Sequence, residues 1–594
     1  MTDITRRHFA LMSAIGLTAC AAPEGEVREI TTATRIQAAE DLLGVEFTDA
    51  ERSQMAESLE QSRDATAALR TFDKPNSLSP ATVFDPRLPG VDYNRIEDLD
   101  RDSPLPAAFN GPPGMSIGQH LDFLAERPFF DPPRRGVPAT DADLAFEGAE
   151  YHQALLFSGD ISSERLTQLY LDRIDRHGPA LECFVTVTPE LALEQARAAD
   201  ARIRAGERVP LLGIPYAAKD LFDTAGILTT YGAEPFKTRV PDTDAWVIER
   251  LREAGAVLLG KTTLGALAYG DIWFGGRTNN PWNPQEGSSG SSAGSASAVA
   301  AGLCSFALGT ETLGSLVSPS TRCGTATLRP TFGLVPRTGA MALCWSMDKI
   351  GPITRHLGDA QLIMPTLTGM DTGDPGSLGT LYPPRMSKPR LTVGYDPAWF
   401  TDADAGQQAA LKALRDIADV VEIDNAVPAD LPLGSLSNIL LAEAAAAFEM
   451  LTLDGRDDTL AWQDDAAWPN TFRAARFITA IDLIQSDRIR RLAMQRMHAT
   501  FTRVDALVSP PFAGGLLSVT NYTGHPCVTL RAGFSEQPTR TLFDDSADQS
   551  EERHRVPNSI CLWGGLFRDV DLVRLGAELE RALGVAEERP AGFG

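Results

Sequence analysis

From Glu286 to Ala298 the chain reads EGSSGSSAGSASA, a tract made almost wholly of serine, glycine and alanine, and Leu308-Gly309-Thr310-Glu311-Thr312-Leu313-Gly314-Ser315 follows soon after. Serine hydroxyls can open an acyl transfer, and glycines let the backbone come close to a carbonyl. A hydroxyl is a weak nucleophile and needs a neighbouring base. None of the eight histidines of the chain falls in either motif. A flexible linker is the other reading of so much serine and glycine. Against it, the tract runs straight into Ala298-Val299-Ala300-Ala301-Gly302 and an apolar segment, where a linker would meet a boundary.

Other chemistries have less to stand on. The histidines include no H-E-x-x-H, and the seven cysteines (20, 183, 304, 323, 344, 527 and 561) include no C-x-x-C and no short zinc spacing, so no metal and no other cofactor is expected. Gly255-Ala-Val-Leu-Leu-Gly260-Lys261-Thr262 fits the phosphate-loop pattern, but a helical run over 244–253 precedes it and its interior reads as a buried strand. Gly290-x-Ser292-x-Gly294 fits a nucleophile elbow, although the Pro/Asn/Gly-rich 281–289 predicts no strand before it. Ser346-x-x-Lys349 fits the penicillin-binding pattern without its K-T-G partner.

The elements that must position these residues form an α/β pattern. Helix-patterned stretches at 164–175 and 190–205 alternate with short apolar runs, Leu211–Ile214 and Ala256–Leu259, which predicts helices around a central sheet. Ahead of this, 30–70 is charged and helix-prone. Thr48-x-x-Glu51 there predicts a capping box before the Met55/Leu59 pair. Residues 74–145 turn rich in Pro, Asp and Gly. The front section is expected to be a helical arm and a wrapping, loop-rich scaffold.

The formal charge of -25 argues against an electrostatic grip on phosphate backbones, so no nucleic-acid partner is expected. No apolar run reaches the roughly 18 residues of a membrane span. Residues 1–20 carry Arg6-Arg7, Phe9 and a mostly apolar Ala10–Ala19, the layout of a twin-arginine export signal, and Leu17-Thr18-Ala19-Cys20 looks like a lipobox. The expectation is an exported protein, periplasmic or anchored to the membrane through lipidated Cys20.

Taken with their neighbours, the two hydroxyl-rich motifs strongly resemble the signature of the amidase signature family. Gly213-Ile214-Pro215 with Lys219-Asp220, Gly260-Lys261-Thr262, Asn280-Pro281-Trp282-Asn283, Arg329-Pro330-Thr331, Val335-Pro336-Arg337, Asp348-Lys349-Ile350-Gly351-Pro352 and Asn521-Tyr522-Thr523-Gly524-His525-Pro526 occur in the family's order. The resemblance covers about 146–590 and implies one large α/β domain there with a mixed sheet flanked by helices, preceded by the signal expected at 1–20 and an extension at 21–145.

The resemblance also implies roles. Ser315 matches the nucleophile, Ser291 a proton-relaying serine on a cis peptide bond, and Lys219 the base. To serve near pH 7 that lysine must be neutral, a depression of roughly three units from its ordinary pKa, or about 4 kcal/mol, which burial can supply. The N–H groups of Thr312, Leu313, Gly314 and Ser315 would hold the oxyanion. Ser292 either bonds the lysine or packs its loop, and Asp220 supports it. The substrate would be a small-molecule carboxamide, secondarily an ester, in a channel built by 30–145, by loops near Tyr231 (a pocket wall) and Trp282, and by 365–500.

Two residues depart from the family, which usually has glycine at Leu313 and arginine at Val317. If the turn needs positive φ at Leu313, leucine costs about 1 to 2 kcal/mol there. These departures motivate an alternative: a surface-anchored binding protein on an inactive amidase scaffold. The family also includes the subunit that releases ammonia for tRNA-linked amidation. Export would part this chain from tRNA, so a free-standing amidase with no obligate protein partner is expected.

Overall fold

The computed structural model describes residues 32–56, 59, most of 75–93, 136–379, 388, 390–541 and 552–594. Strands β1 (Phe184–Val187), β2 (Pro215–Lys219), β3 (Val257–Thr262), β4 (Phe306–Glu311), β5 (Ala326–Arg329), β6 (Lys349–Thr354), β7 (Thr392–Tyr395), β8 (Asp419–Glu422), β9 (Ala506–Ser509), β10 (Cys527–Gln537) and β11 (His554–Gly564) join one sheet. Their order is β1-β3-β2-β4-β6-β5-β10-β11-β9-β7-β8. The sheet is mixed: β2 runs parallel to β3 and β4, and β7 to β8 and β9, whereas β4, β5, β6, β10 and β11 pair antiparallel with one another.

Side-chain alternation explains why the central strands read as continuous apolar or small runs. Tyr216, Ala218, Leu258, Phe306 and Leu308 enter one core cluster, while Ala217, Val257, Leu259 and Ala307 enter another on the opposite face. A strand covered on both faces has no polar side to show. The second cluster is closed by helices α1 (Ser163–Leu181) and α2 (Ala293–Ala300), through Leu166, Tyr170 and Val299 among others. Ser162 caps α1 by accepting from Arg165 N–H. The expected α/β architecture with a central mixed sheet flanked by helices is the architecture observed.

The front section is helical over Thr32–Leu43 and again over 49–56, where Thr48 and Glu51 form the expected capping box (Thr48 N to Glu51 Oε2, 2.6 Å; Glu51 N to Thr48 Oγ1, 3.3 Å). Farther along, Phe84 packs edge-on to Phe332 at 5.1 Å and lies under the Arg490 guanidinium at 3.4 Å. The signal-like 1–20, with Arg6, Arg7 and Cys20, lies outside the described residues, as do 94–135. No helix among the described residues is long and apolar enough to cross a membrane.

Gly255 ends the helix Trp246–Ala254 in a left-handed conformation, φ 84°, and the following residues enter β3. This is a helix stop and a buried strand, not a phosphate-binding loop. Lys261 is spent inside it, donating to Phe222 O and Thr229 Oγ1, both at 2.7 Å.

Candidate active site

Lys219 is the last residue of β2, and the parallel register of β2 with β4 carries its fully buried side chain toward Thr310. Its Nζ lies within hydrogen-bond reach of Thr310 Oγ1 at 2.8 Å, Ser291 Oγ at 2.9 Å and Ser292 Oγ at 3.1 Å. All three partners are hydroxyls. Burial pushes the amine well below the ordinary lysine pKa, and the more distant Asp348 and Glu311 carboxylates only partly restore it. A neutral amine has two protons to give and one lone pair to receive, which matches three hydroxyl neighbours.

Ser292 answers the two alternatives left by the sequence with both at once. It bonds the lysine, donates to Thr310 O at 3.1 Å and accepts from Thr310 N at 3.2 Å, so its single proton is committed to the backbone of β4. Ser291 Oγ, among the described residues, has the lysine as its hydrogen-bond partner.

The serine tract is a fixed loop. The peptide between Gly290 and Ser291 is cis. A Cβ on Gly290 would lie 1.8 Å from Gly270 O, and one on Gly294 would lie 2.3 Å from Cys183 O, so both positions admit only glycine. Ser289 N donates to Asp271 Oδ2 at 2.9 Å, and the tract then enters α2, every residue of which is buried. A strand does precede the tract, contrary to the sequence reading: Asn283–Gly287 pairs with Asn279–Asn280 in a separate two-stranded hairpin. That hairpin lies outside the main sheet, and Ser292 is buried, so the elbow pattern gains nothing from it. In the Ser346-x-x-Lys349 pattern, Ser346 Oγ donates to Glu443 and Lys349 Nζ to Met347 O, so neither serves the other.

Ser315 stands half-buried in the turn between β4 and a short helix, Val317–Cys323. Ser292 N donates to Ser315 O at 3.2 Å, which joins this turn to the serine tract. The turn is held from beneath by Glu311, the last residue of β4. Its Oε2 accepts Leu316 N at 2.9 Å and Val317 N at 3.0 Å, and its Oε1 accepts Arg329 Nη1 at 2.8 Å and Asn521 Nδ2 at 2.7 Å. The arginine and these donors hold this fully buried carboxyl below its usual pKa against the cost of burial. Among the described residues, no backbone or side-chain acceptor takes the N–H groups of Leu313, Gly314 or Ser315. Thr312 Oγ1 donates to Asp348 Oδ1 at 2.6 Å.

The strain foreseen at Leu313 does not arise. The left-handed residue of the turn is Gly314, φ 100°, and Leu313 is absent from the described residues with positive φ. Leu313 keeps 37% of its surface exposed, while Val317 is core, packed in a cluster with Leu516 and Trp563.

Asp220 is the first residue after β2, and the contacts of its carboxylate run to Thr230 and Lys261. It accepts from Thr230 N at 2.8 Å and from the Thr230 hydroxyl, and sits 3.6 Å from Lys261 Nζ. Its place is to hold the 229–231 loop. Tyr231 lines a cavity, as expected of a pocket wall. Trp282 instead packs: it donates to Cys323 O at 2.8 Å and leans on Phe534 at 4.9 Å. Thr310 and Glu311 stood in a quoted motif without any assigned role. Their signal was position, since both fall at the end of the strand next to the one carrying Lys219.

Comparison with known proteins places this geometry. The Amidase family profile matches residues 165–524, and the chain belongs to that family of amidase signature hydrolases. A glutamyl-tRNA(Gln) amidotransferase subunit from Desulforapulum autotrophicum is 44% identical over 274 residues, which are 46% of this chain and 53% of that protein. The chain thus spans about half the length of that relative. Its counterpart from Dehalococcoides mccartyi is 32% identical over 65% of this chain and 90% of its own. The native peptide amidase of Stenotrophomonas maltophilia superposes with a TM-score of 0.63 at 28% identity, covering 75% of this chain and 98% of its own.

These relatives correct two expectations. They are named as subunits of a glutamyl-tRNA(Gln) amidotransferase, which overturns the expectation of no obligate protein partner. A net charge does not say which surface a partner covers, so it could not exclude a protein partner. The same relatives, named for a reaction on glutamyl-tRNA(Gln), overturn the expectation of an exported, periplasmic or lipid-anchored enzyme, which rested on the pattern of residues 1–20 alone.

Proposed function

We propose that the chain hydrolyses a carboxamide C–N bond through an acyl-enzyme on Ser315, with Ser291 relaying the proton and Lys219 as base. The observation that carries this reading is Lys219 itself: a buried amine among three hydroxyls, its pKa pushed down by burial. Neutral Lys219 takes the Ser291 proton as Ser291 takes that of Ser315, and Ser315 Oγ attacks the carbonyl carbon. The oxyanion meets the N–H groups of the 312–315 turn, a contribution of roughly 3 kcal/mol per donor in comparable sites. The proton then returns through Ser291 to the leaving nitrogen, the C–N bond breaks, and water repeats the attack on the ester. An ester substrate would follow the same course.

This reading is tested by following ammonia or amine release from a panel of primary and N-substituted carboxamides. Turnover by the wild type that Ser315→Ala abolishes supports it. Turnover that survives Ser315→Ala rejects it. Binding without turnover across the whole panel would favour a non-catalytic protein on an amidase scaffold.

A second reading is favoured by the identity with the amidotransferase subunits: the amide chemistry would be coupled to a partner protein and a tRNA-linked acceptor. Glutamine hydrolysis that appears only when partner subunits and glutamyl-tRNA are added would select it.

A further inference from the structure

Two cavities meet at a turn contributed by the N-terminal extension, outside the segment matched by the family profile. The inner one, about 710 Å³ with its open mouth, is lined by Thr310, Thr312, Leu221, Met341 and Trp345, so it borders the reaction centre from the side of the lysine's threonine partner. The outer one, about 1120 Å³ with its open mouth, is walled by Tyr231, Phe236, Phe448 and Met450. Asn76 and Ser77 line both, together with Gly339 and Ala340.

Among the described residues the turn is slight and is hung on the body by the side chain of Asn76. Leu78 N donates to Pro75 O at 2.8 Å, which closes the turn. Asn76 Nδ2 donates to Ala342 O at 2.8 Å, and its Oδ1 accepts Ala342 N at 2.7 Å. One amide thus satisfies both backbone groups of a residue, as a neighbouring strand would. Pro75, Ser77 and Leu78 are exposed. The outer cavity offers aromatic surface rather than free charge: Arg239 is paired with Asp223 at 2.7 Å and lies over the Tyr231 ring at 4.6 Å, and Arg456 is paired with Asp454 at 2.8 Å.

We infer that the Asn76–Ser77 turn is a specificity-determining partition, confining the acyl group of the substrate to the compact, mostly apolar inner chamber and shutting it off from the aromatic outer chamber. This rests on the reading of Ser315 as nucleophile. Wild type therefore takes short acyl groups and rejects phenyl-extended ones, and undocking the turn joins the chambers.

The test uses the full chain and labelling of Ser315 by fluorophosphonates bearing a methyl, a butyl or a phenylhexyl group, which needs no known substrate. Asn76→Ala is expected to raise the second-order rate for the phenylhexyl probe at least tenfold while the methyl probe stays within twofold. Ser77→Trp fills the turn and is expected to slow the butyl probe tenfold, again without effect on the methyl probe. Equal changes for long and short probes, or no change in either variant, overturn the partition while labelled Ser315 leaves the parent reading standing. Absence of labelling by any probe in the wild type overturns both.

Discussion

Lys219 Nζ and Ser291 Oγ lie 2.9 Å apart, and the amine is sealed from solvent among hydroxyls. Because burial lowers this lysine's pKa, the neutral form that can take a proton is populated at lower pH than for a free lysine. Activity is expected to climb with pH through that depressed value and then level, with Lys219→Ala lowering kcat by about a thousandfold or more. The sign for stability follows the same shift. Between the depressed pKa and the ordinary one the unfolded chain holds the extra proton, so Lys219 costs stability there and the cost shrinks as pH rises. Denaturant titrations of Lys219→Met at pH 7 should therefore show a fold at least as stable as wild type. A marked loss of stability would mean that the lysine is charged and paired in the native state.

The Glu311 carboxylate joins the turn that carries Ser315 to Arg329 and Asn521. Glu311→Gln puts an amide proton where two backbone N–H groups already point, and should lower kcat by about a hundredfold with KM within about threefold. Stability should fall by about 3 kcal/mol because Arg329 is left buried without its partner. Glu311→Gln combined with Arg329→Met should regain much of the stability and little of the kcat. Recovery of both together would make the role of Glu311 purely structural.

Gly314 carries the positive φ of the turn, and its neighbour Leu313 does not. Gly314→Ala should cost about 1 to 2 kcal/mol in local strain and reduce kcat about tenfold. Leu313→Gly should change kcat by less than about threefold. A large gain from Leu313→Gly would mean that leucine, and not the turn itself, limits the rate.

The fold was legible where residues alternate or punctuate. The helix stop at Gly255 and the buried runs of β3 could be read from their pattern, and Thr48 with Glu51 announced a helix start. What could not be read depends on contacts between distant segments. That Glu311 would hold the turn of Ser315, that Asp220 would serve Lys261 and not Lys219, and that Asn76 would hang on Ala342 all follow from strand order and packing, which no local spacing encodes. The positive φ considered at Leu313 falls one residue later, at Gly314, because a sequence does not say which member of a turn takes the left-handed conformation. The N-terminal arginine pair and Cys20 carried the export reading on pattern alone, and the relatives' tRNA-linked reaction outweighs it.

The central claim is that Ser315 is a nucleophile activated by Lys219 through Ser291. Its most direct test is intact-protein mass spectrometry after reaction with a small fluorophosphonate, comparing wild type with Ser315→Ala, Lys219→Ala and Ser291→Ala. The account predicts one adduct in the wild type, none in Ser315→Ala, and labelling slowed at least a hundredfold in the other two. An adduct that persists in folded Ser315→Ala, or labelling unaffected by loss of Lys219, would contradict it.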